Sequence, residues 1–208
     1  MSERNTEKAD PAGASAQRDL LILVDMQRDY LAADGRFAQL GLIDPMQTAA
    51  LAERVSGLLS AWRALGRPVA FIQTIVDEST LPAVVLERNR KNGRAGLLQP
   101  GSHGIEFFGV SPEPAEAIFA KAIYDPFLNP RFEAFLAASA PERLVLAGSF
   151  TDVCIDALAR TAYQKGYHSV VVEDATLPLR RHQKEALDFM RAFYGIETVT
   201  VADLIACA

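Results

Sequence analysis

A chain of 208 residues, 50% apolar and 23% charged, is long enough for one sizeable globular domain and short for two. A formal net charge of −5 disfavours nucleic acid and anionic membrane as partners, because both demand a basic face. No apolar run approaches the roughly 20 residues that cross a bilayer, and two cysteines as distant as Cys154 and Cys207 make neither a disulfide framework nor a CxxC motif.

Residues 1–18 are polar, lack the apolar core of a secretory signal and read as a disordered lead-in. Residues 19–208 are expected to form a single domain, with a reducing cytoplasm as its setting. LLILVD (20–25) is an unbroken apolar run and predicts a buried strand. Apolar residues at helical spacing predict a helix over 45–66, closed by Gly66. PVAFIQT (68–74) predicts a second strand and AIFAKA (117–122) a weaker third. The stretch 77–114 between them is irregular and rich in Gly, Pro, Arg and Asn. Loops of that length serve as lids or subunit interfaces, and its apolar GIEFFGV segment is an interface candidate. Pro130 suits the first turn of a helix over 130–140. A strand over 143–148, a helix over 152–166, a strand over 168–174, a helix over 181–195 and a short strand over 197–201 complete the chain.

Buried strands alternating with helices predict a mostly parallel sheet covered on both faces, a doubly wound α/β domain. Such sheets bind ligands beyond the carboxyl ends of their strands. Asp25, Lys121 and Cys154 all fall at or near such ends. A thiolate is the nucleophile, and a helix N-terminus or a nearby cation lowers the pKa of its thiol. The helix after 143–148 offers Cys154 the first, and Lys121 offers the second. Asp25 is placed to accept the thiol proton and return it to a leaving amine. Singly, each residue has a plainer use: a small core hydrophobe, a turn residue, a solvated cation. Together they point to acyl transfer.

LLILVDMQRDYL, KAIYDPFLNPRFEAFL and LVLAGSFTDVCIDALARTAYQKGYHSVVVEDATLP resemble the isochorismatase-like cysteine hydrolases. The resemblance runs in order from Leu20 to Leu204 and is most specific over 144–175. It implies a three-layer α/β/α sandwich and a catalytic triad of Asp25, Lys121 and Cys154. It implies an oxyanion hole built from the backbone N–H groups of Phe150 and Cys154, with a cis peptide between Ser149 and Phe150. The implied reaction is attack of Cys154 on a small amide, loss of ammonia or an amine, and hydrolysis of the thioester, with no cofactor. Relatives of this kind are commonly dimers or tetramers, so a homodimer or homotetramer is expected.

Family members act on nicotinamide, N-carbamoylsarcosine, ureidoacrylate, biuret and maleamate. Nicotinamidases carry an Asp–His metal site with a DxH motif after the second strand. FIQTIVDESTLP has Asp77 and no histidine there, and His103, His168 and His182 are scattered, so no metal is expected. Isochorismatases proper cleave a vinyl ether without a nucleophilic cysteine, so Cys154 favours amide chemistry. The range of metal-free members favours a ureido, carbamoyl or biuret-like amide. Another small amide, of maleamate or nicotinamide type, is the alternative, as is a non-catalytic binding protein on the same fold. Gln27, Tyr30, Tyr124 and Phe127 are candidate substrate contacts, since a planar amide packs well on an aromatic face. Arg180 or Arg181, following the strand over 168–174, is a candidate clamp for a substrate carboxylate. His103 is an exposed loop residue or a visitor from a neighbouring subunit.

Overall fold

A computed structural model describes residues 18–206. The expected N-terminal tail, apart from Arg18, and Cys207 lie outside the described residues. Strands β1 (Leu20–Val24), β2 (Val69–Thr74), β3 (Ala117–Lys121), β4 (Arg143–Ser149), β5 (His168–Leu177) and β6 (Glu197–Val199) form a six-stranded sheet in the order β3-β2-β1-β4-β5-β6. Every neighbouring pair is parallel.

The sequence dictates which strands lie inside. All five residues of β1 are buried, as an unbroken apolar run requires when helices cover both faces. Leu21 and Leu23 join one core cluster and Leu20, Ile22 and Val24 the other, because successive side chains of a strand leave opposite faces. β3 is an edge strand and alternates instead. Phe119 and Lys121 are buried, while Ile118 is 44% exposed. That alternation turns Lys121 inward.

One helical layer holds α3 (Pro45–Ala64) and α8 (Val201–Ala206), whose Leu51, Val55, Leu58, Trp62 and Leu204 pack on one face of the sheet. Asp44 caps α3 by accepting the Met46 N–H, and Pro45 occupies the first helical position. The other layer holds α5 (Pro130–Ser139), α6 (Asp156–Gln164) and α7 (Gln183–Tyr194). The result is the expected α/β/α sandwich. Among the described residues no helix is long and apolar enough to cross a membrane.

Three departures from expectation bear on the site. Helices α1 (Arg28–Leu31), α2 (Arg36–Gln39) and α4 (Ala83–Lys91) occupy stretches without a predicted element. The first two are too short to express a helical period, and α4 buries no residue. The helix expected from 152 begins with a wider π turn over Thr151–Ile155, and α6 follows it. Finally, GIEFFGV is only partly exposed. Ile105, Phe107 and Phe108 pack against the core, Phe107 bridges Gln27, and the Phe108 N–H donates to the Met26 carbonyl at 2.8 Å. Gly109 lies so close to α3 that an added Cβ would meet the Ala52 Cβ at 2.6 Å.

Candidate active site

From β1 the sheet grows through β2 and β3 on one side and through β4, β5 and β6 on the other. The strand order therefore reverses between β1 and β4, where open α/β sheets leave a crevice for ligands. Asp25 follows β1 and Cys154 follows β4, one on each side of that crevice. Thr74 and Lys121 are paired in register at the ends of β2 and β3.

Asp25 sits at φ 51°, a left-handed conformation that Asp tolerates better than most residues. Its N–H donates to Ile72 at 3.0 Å, and its carbonyl accepts from the Gln27 N–H at 2.8 Å and from Ser149 Oγ at 2.9 Å. These bonds aim the carboxylate at Lys121. Lys121 Nζ donates to Asp25 Oδ2 at 2.8 Å, to Thr74 Oγ1 at 2.7 Å and to Cys154 Sγ at 3.4 Å. All three donors of the ammonium are thus engaged. Thr74 Oγ1 in turn donates to Asp25 Oδ1 at 2.8 Å. Asp25 is fully buried, Lys121 is 5% exposed and Cys154 3%. A buried ion pair is tolerable only when saturated in this way.

Burial pushes the Cys154 thiol well above its ordinary pKa, and the Asp25 carboxylate adds to the effect, while Lys121 pulls against both. Burial also works against the charge on Lys121, but Asp25 and the Cys154 sulfur outweigh it and hold the ammonium above its usual value. The resting cluster therefore pairs an ammonium with a protonated thiol. Burial outweighs the pull of Lys121.

Around Cys154 the backbone is unusual. The Phe150 carbonyl accepts from the Val153 N–H at 3.0 Å and from the Ile155 N–H at 3.1 Å, the second being the i to i+5 bond of a π turn. The Ser149–Phe150 peptide is cis. Gly148, at φ 112°, lets β4 approach β1 closely, since a Cβ there would lie 2.2 Å from the Val24 carbonyl oxygen.

Cys154 opens onto a cavity of ≈ 60 Å³ whose walls include Tyr30, Phe37, Tyr124, Phe150, Asn89 and Arg94. The Phe37 and Phe150 rings are stacked at 5.7 Å and 12°, and Tyr30 stands edge-on to both, at 4.8 and 5.7 Å. Burial, with Asp25 and Cys154 nearby, raises the Tyr30 phenol well above its ordinary pKa and keeps it neutral. A second cavity of ≈ 330 Å³ adjoins the first, sharing Arg94, Tyr124, Val153 and Leu179 with it, and adds Arg88 and Arg180 to the walls.

Asp25, Lys121 and Cys154 thus converge, with Tyr30, Tyr124 and Phe150 beside them. Gln27 stands behind the site rather than in it. Its Oε1 accepts the Thr74 N–H at 2.8 Å, and its Nε2 donates to the carbonyls of Thr74 at 2.9 Å and Ile105 at 3.0 Å, leaving nothing for a substrate. Phe127 lies in the other core cluster, against Phe132 and Tyr167, and is packing. Arg180 borders the adjoining cavity, whereas Arg181 turns away and stacks over Phe189 at 5.5 Å. His103 is exposed and pairs with Glu106. Among the described residues no three His, Cys, Asp or Glu side chains form a metal-binding group.

Sequence reasoning missed Thr74, Phe37, Asn89, Arg94 and Asp152. The last holds the 179–181 turn, its carboxylate accepting the N–H groups of Leu179, Arg180 and Arg181 at 2.6 to 2.9 Å. Thr74 was within reach, as the polar end of a buried strand. Phe37, Asn89 and Arg94 come from stretches with no periodic signal.

Fold and site together define an α/β protein with a cysteine-bearing pocket at the switch point of its sheet. Residues 19–203 match the Isochorismatase domain, and the chain belongs to the isochorismatase family of hydrolases. A ureidoacrylate amidohydrolase (RutB) of Yersinia enterocolitica is 31% identical over 214 residues, spanning 95% of this chain and 88% of the relative. The fold matches a cysteine hydrolase from Pseudomonas syringae pv. phaseolicola with a TM-score of 0.79 at 20% identity, over 100% of this chain and 98% of that one. It also matches an N-carbamoylsarcosine amidase from Thermoplasma acidophilum with a TM-score of 0.73 at 21% identity, over 88% and 96% of the two chains.

Proposed function

We propose that this protein is a metal-independent cysteine amidohydrolase that cleaves a C–N bond of a small ureido or carbamoyl amide through a thioester. The observation that carries the reading is the buried Lys121 ammonium, 2.8 Å from Asp25 and 3.4 Å from the Cys154 sulfur, with Cys154 itself lining an aromatic-walled cavity. Because the resting thiol is protonated, its proton passes to Asp25 as the substrate carbonyl arrives. Lys121 stabilises the charge that appears on sulfur. Sulfur bonds to the carbonyl carbon, and the backbone N–H groups of Phe150 and Cys154 hold the resulting oxyanion. Asp25 returns the proton to the departing nitrogen as the C–N bond breaks. Water, deprotonated by Asp25, then cleaves the thioester and frees the cysteine. The names of the Yersinia and Thermoplasma relatives, one a ureidoacrylate amidohydrolase and the other an N-carbamoylsarcosine amidase, support the ureido or carbamoyl choice.

The test is ammonia release from a panel of ureido acids, biuret, maleamate, nicotinamide and simple amides, with and without chelator. At least one compound should be hydrolysed by wild type, and Cys154→Ala should lower that rate at least about a thousandfold. Turnover that survives in Cys154→Ala would overturn the reading.

A further inference from the structure

We propose that Arg94 is the specificity-determining residue of the pocket, binding a carboxylate at the end of the substrate remote from the scissile amide. The substrate class is then a small amide that carries its own carboxylate. This deepens the hydrolase reading above and rests on it for the amide end. The carboxylate end rests on separate observations.

Arg94 belongs to the segment between α4 and β3, held by its own N–H bond to the Asn89 carbonyl at 2.7 Å. Its guanidinium lies over Phe37, 5.3 Å from the ring centroid, and Phe37 is stacked on Phe150. Cation, aromatic ring and proposed oxyanion donor thus form one wall of the Cys154 cavity. The Arg94 Nε is buried and has no hydrogen-bond partner, and among the described residues Arg94 has no acidic partner. Arg28, Arg63, Arg143 and Arg191 each pair with a carboxylate. A half-buried guanidinium left unpaired in a pocket calls for an acceptor that is absent from the fold.

The surroundings favour an anion. Arg88, Arg94 and Arg180 border the adjoining cavity, and no Asp or Glu lines it or the Cys154 cavity. This is notable in a chain of net charge −5. A guanidinium fork matches a carboxylate in a plane and holds it by parallel hydrogen bonds. Arg94 is the one arginine that borders both cavities, so it alone faces the cysteine and the wider space together. Arg180 borders only the second, and its backbone is already tied to Asp152. The clamp expected at Arg180 or Arg181 is therefore assigned to Arg94.

Two experiments test this. In the first, Cys154 is alkylated with iodoacetate and with its neutral isostere iodoacetamide, and the adduct is quantified on the Cys154 peptide by mass spectrometry. Arg94→Met should lower the iodoacetate-to-iodoacetamide rate ratio about tenfold or more, Arg94→Lys should retain part of it, and Arg180→Gln should change it less than Arg94→Met does. In the second, kcat/KM is compared for N-carbamoylglycine and for the neutral N-(2-hydroxyethyl)urea. Wild type should prefer the acid, and Arg94→Met should collapse the preference about a hundredfold, mainly through KM. An unchanged labelling ratio in folded Arg94→Met overturns the proposal whether or not any amide is hydrolysed, and so does a wild-type preference for the neutral urea. Conversely, a labelling ratio that falls as expected, together with hydrolysis that survives Cys154→Ala, would keep the anion site and remove the cysteine mechanism.

Discussion

At the scale of single residues, the site is a set of groups held in unfavourable surroundings by one another. Cys154 and Lys121 both bind their protons more tightly in the fold than in the open chain, the first chiefly through burial and the second because the Asp25 carboxylate outweighs burial. A group with a raised folded pKa adds stability that is complete below its unfolded pKa and is lost as the pH climbs toward the folded one. For cysteine the loss should begin at about pH 8.5, its ordinary value. Wild type should therefore lose more urea stability between about pH 8 and pH 10.5 than Cys154→Ala does, because the variant lacks the buried thiol whose pKa the fold raises. Equal losses in the two proteins would place the alkaline weakness elsewhere. The same residues show what a sequence displays of such a site. Asp25, Lys121 and Cys154 are polar or reactive residues at the ends of apolar runs, and that anomaly is visible in one dimension. Gln27 shows the limit. It is as close to the cluster in sequence, yet its amide is consumed by the backbone of Thr74 and Ile105, 47 and 78 residues away.

At the scale of elements, legibility follows burial pattern. β1 was plain because both its faces are covered. β3 was weak because an edge strand buries only alternate residues. The π turn was invisible, since Thr151–Ile155 carries no spacing that separates it from the first turn of an α-helix. Two glycines give opposite tests of how these elements pack. Gly148→Ala puts a Cβ 2.2 Å from the Val24 carbonyl oxygen at φ 112°, so β4 must shift from β1 where Asp25 and the Cys154 loop meet. We expect a loss of about 3 kcal/mol or more with loss of activity. Gly57 lies within α3, and a Cβ there meets nothing within 4 Å. Gly57→Ala should stabilise by about 0.5–1 kcal/mol with activity retained. Chemical denaturation of the two variants measures both signs, and a stable, active Gly148→Ala would contradict the close approach of the strands.

For the whole molecule, the parallel sheet fixes the positions of Asp25, Lys121 and Cys154, and the 77–114 stretch shapes what they meet. Topology alone brings the ends of β1 and β4 together, which is why Asp25 and Cys154 were readable as partners. Arg94 has no such rule behind it. Its segment is set by bonds to distant parts of the chain: Leu98 N–H to Asp29 Oδ2 at 2.8 Å, Val76 N–H to the Leu98 carbonyl at 2.9 Å, Arg36 Nη2 to the Gly93 carbonyl at 3.0 Å and Gly96 N–H to Glu78 Oε1 at 3.1 Å. Asp29 is the joint among these, since it also accepts the Arg36 N–H at 3.4 Å, and Gly104 packs so closely on it that a Cβ would lie 2.2 Å from Oδ2. Asp29→Ala removes the acceptor and leaves the Leu98 amide without its bond. Hydrogen exchange should then quicken at Leu98 and through 93–98 while β1 and β4 keep their protection, and stability should fall by about 1–2 kcal/mol. If that segment positions Arg94, the same variant should weaken the preference for iodoacetate at Cys154 without removing the thiol's reaction with iodoacetamide. Faster exchange with an unaltered labelling preference would mean that Arg94 is oriented by its stacking on Phe37 alone, independent of the ties that hold the backbone around it.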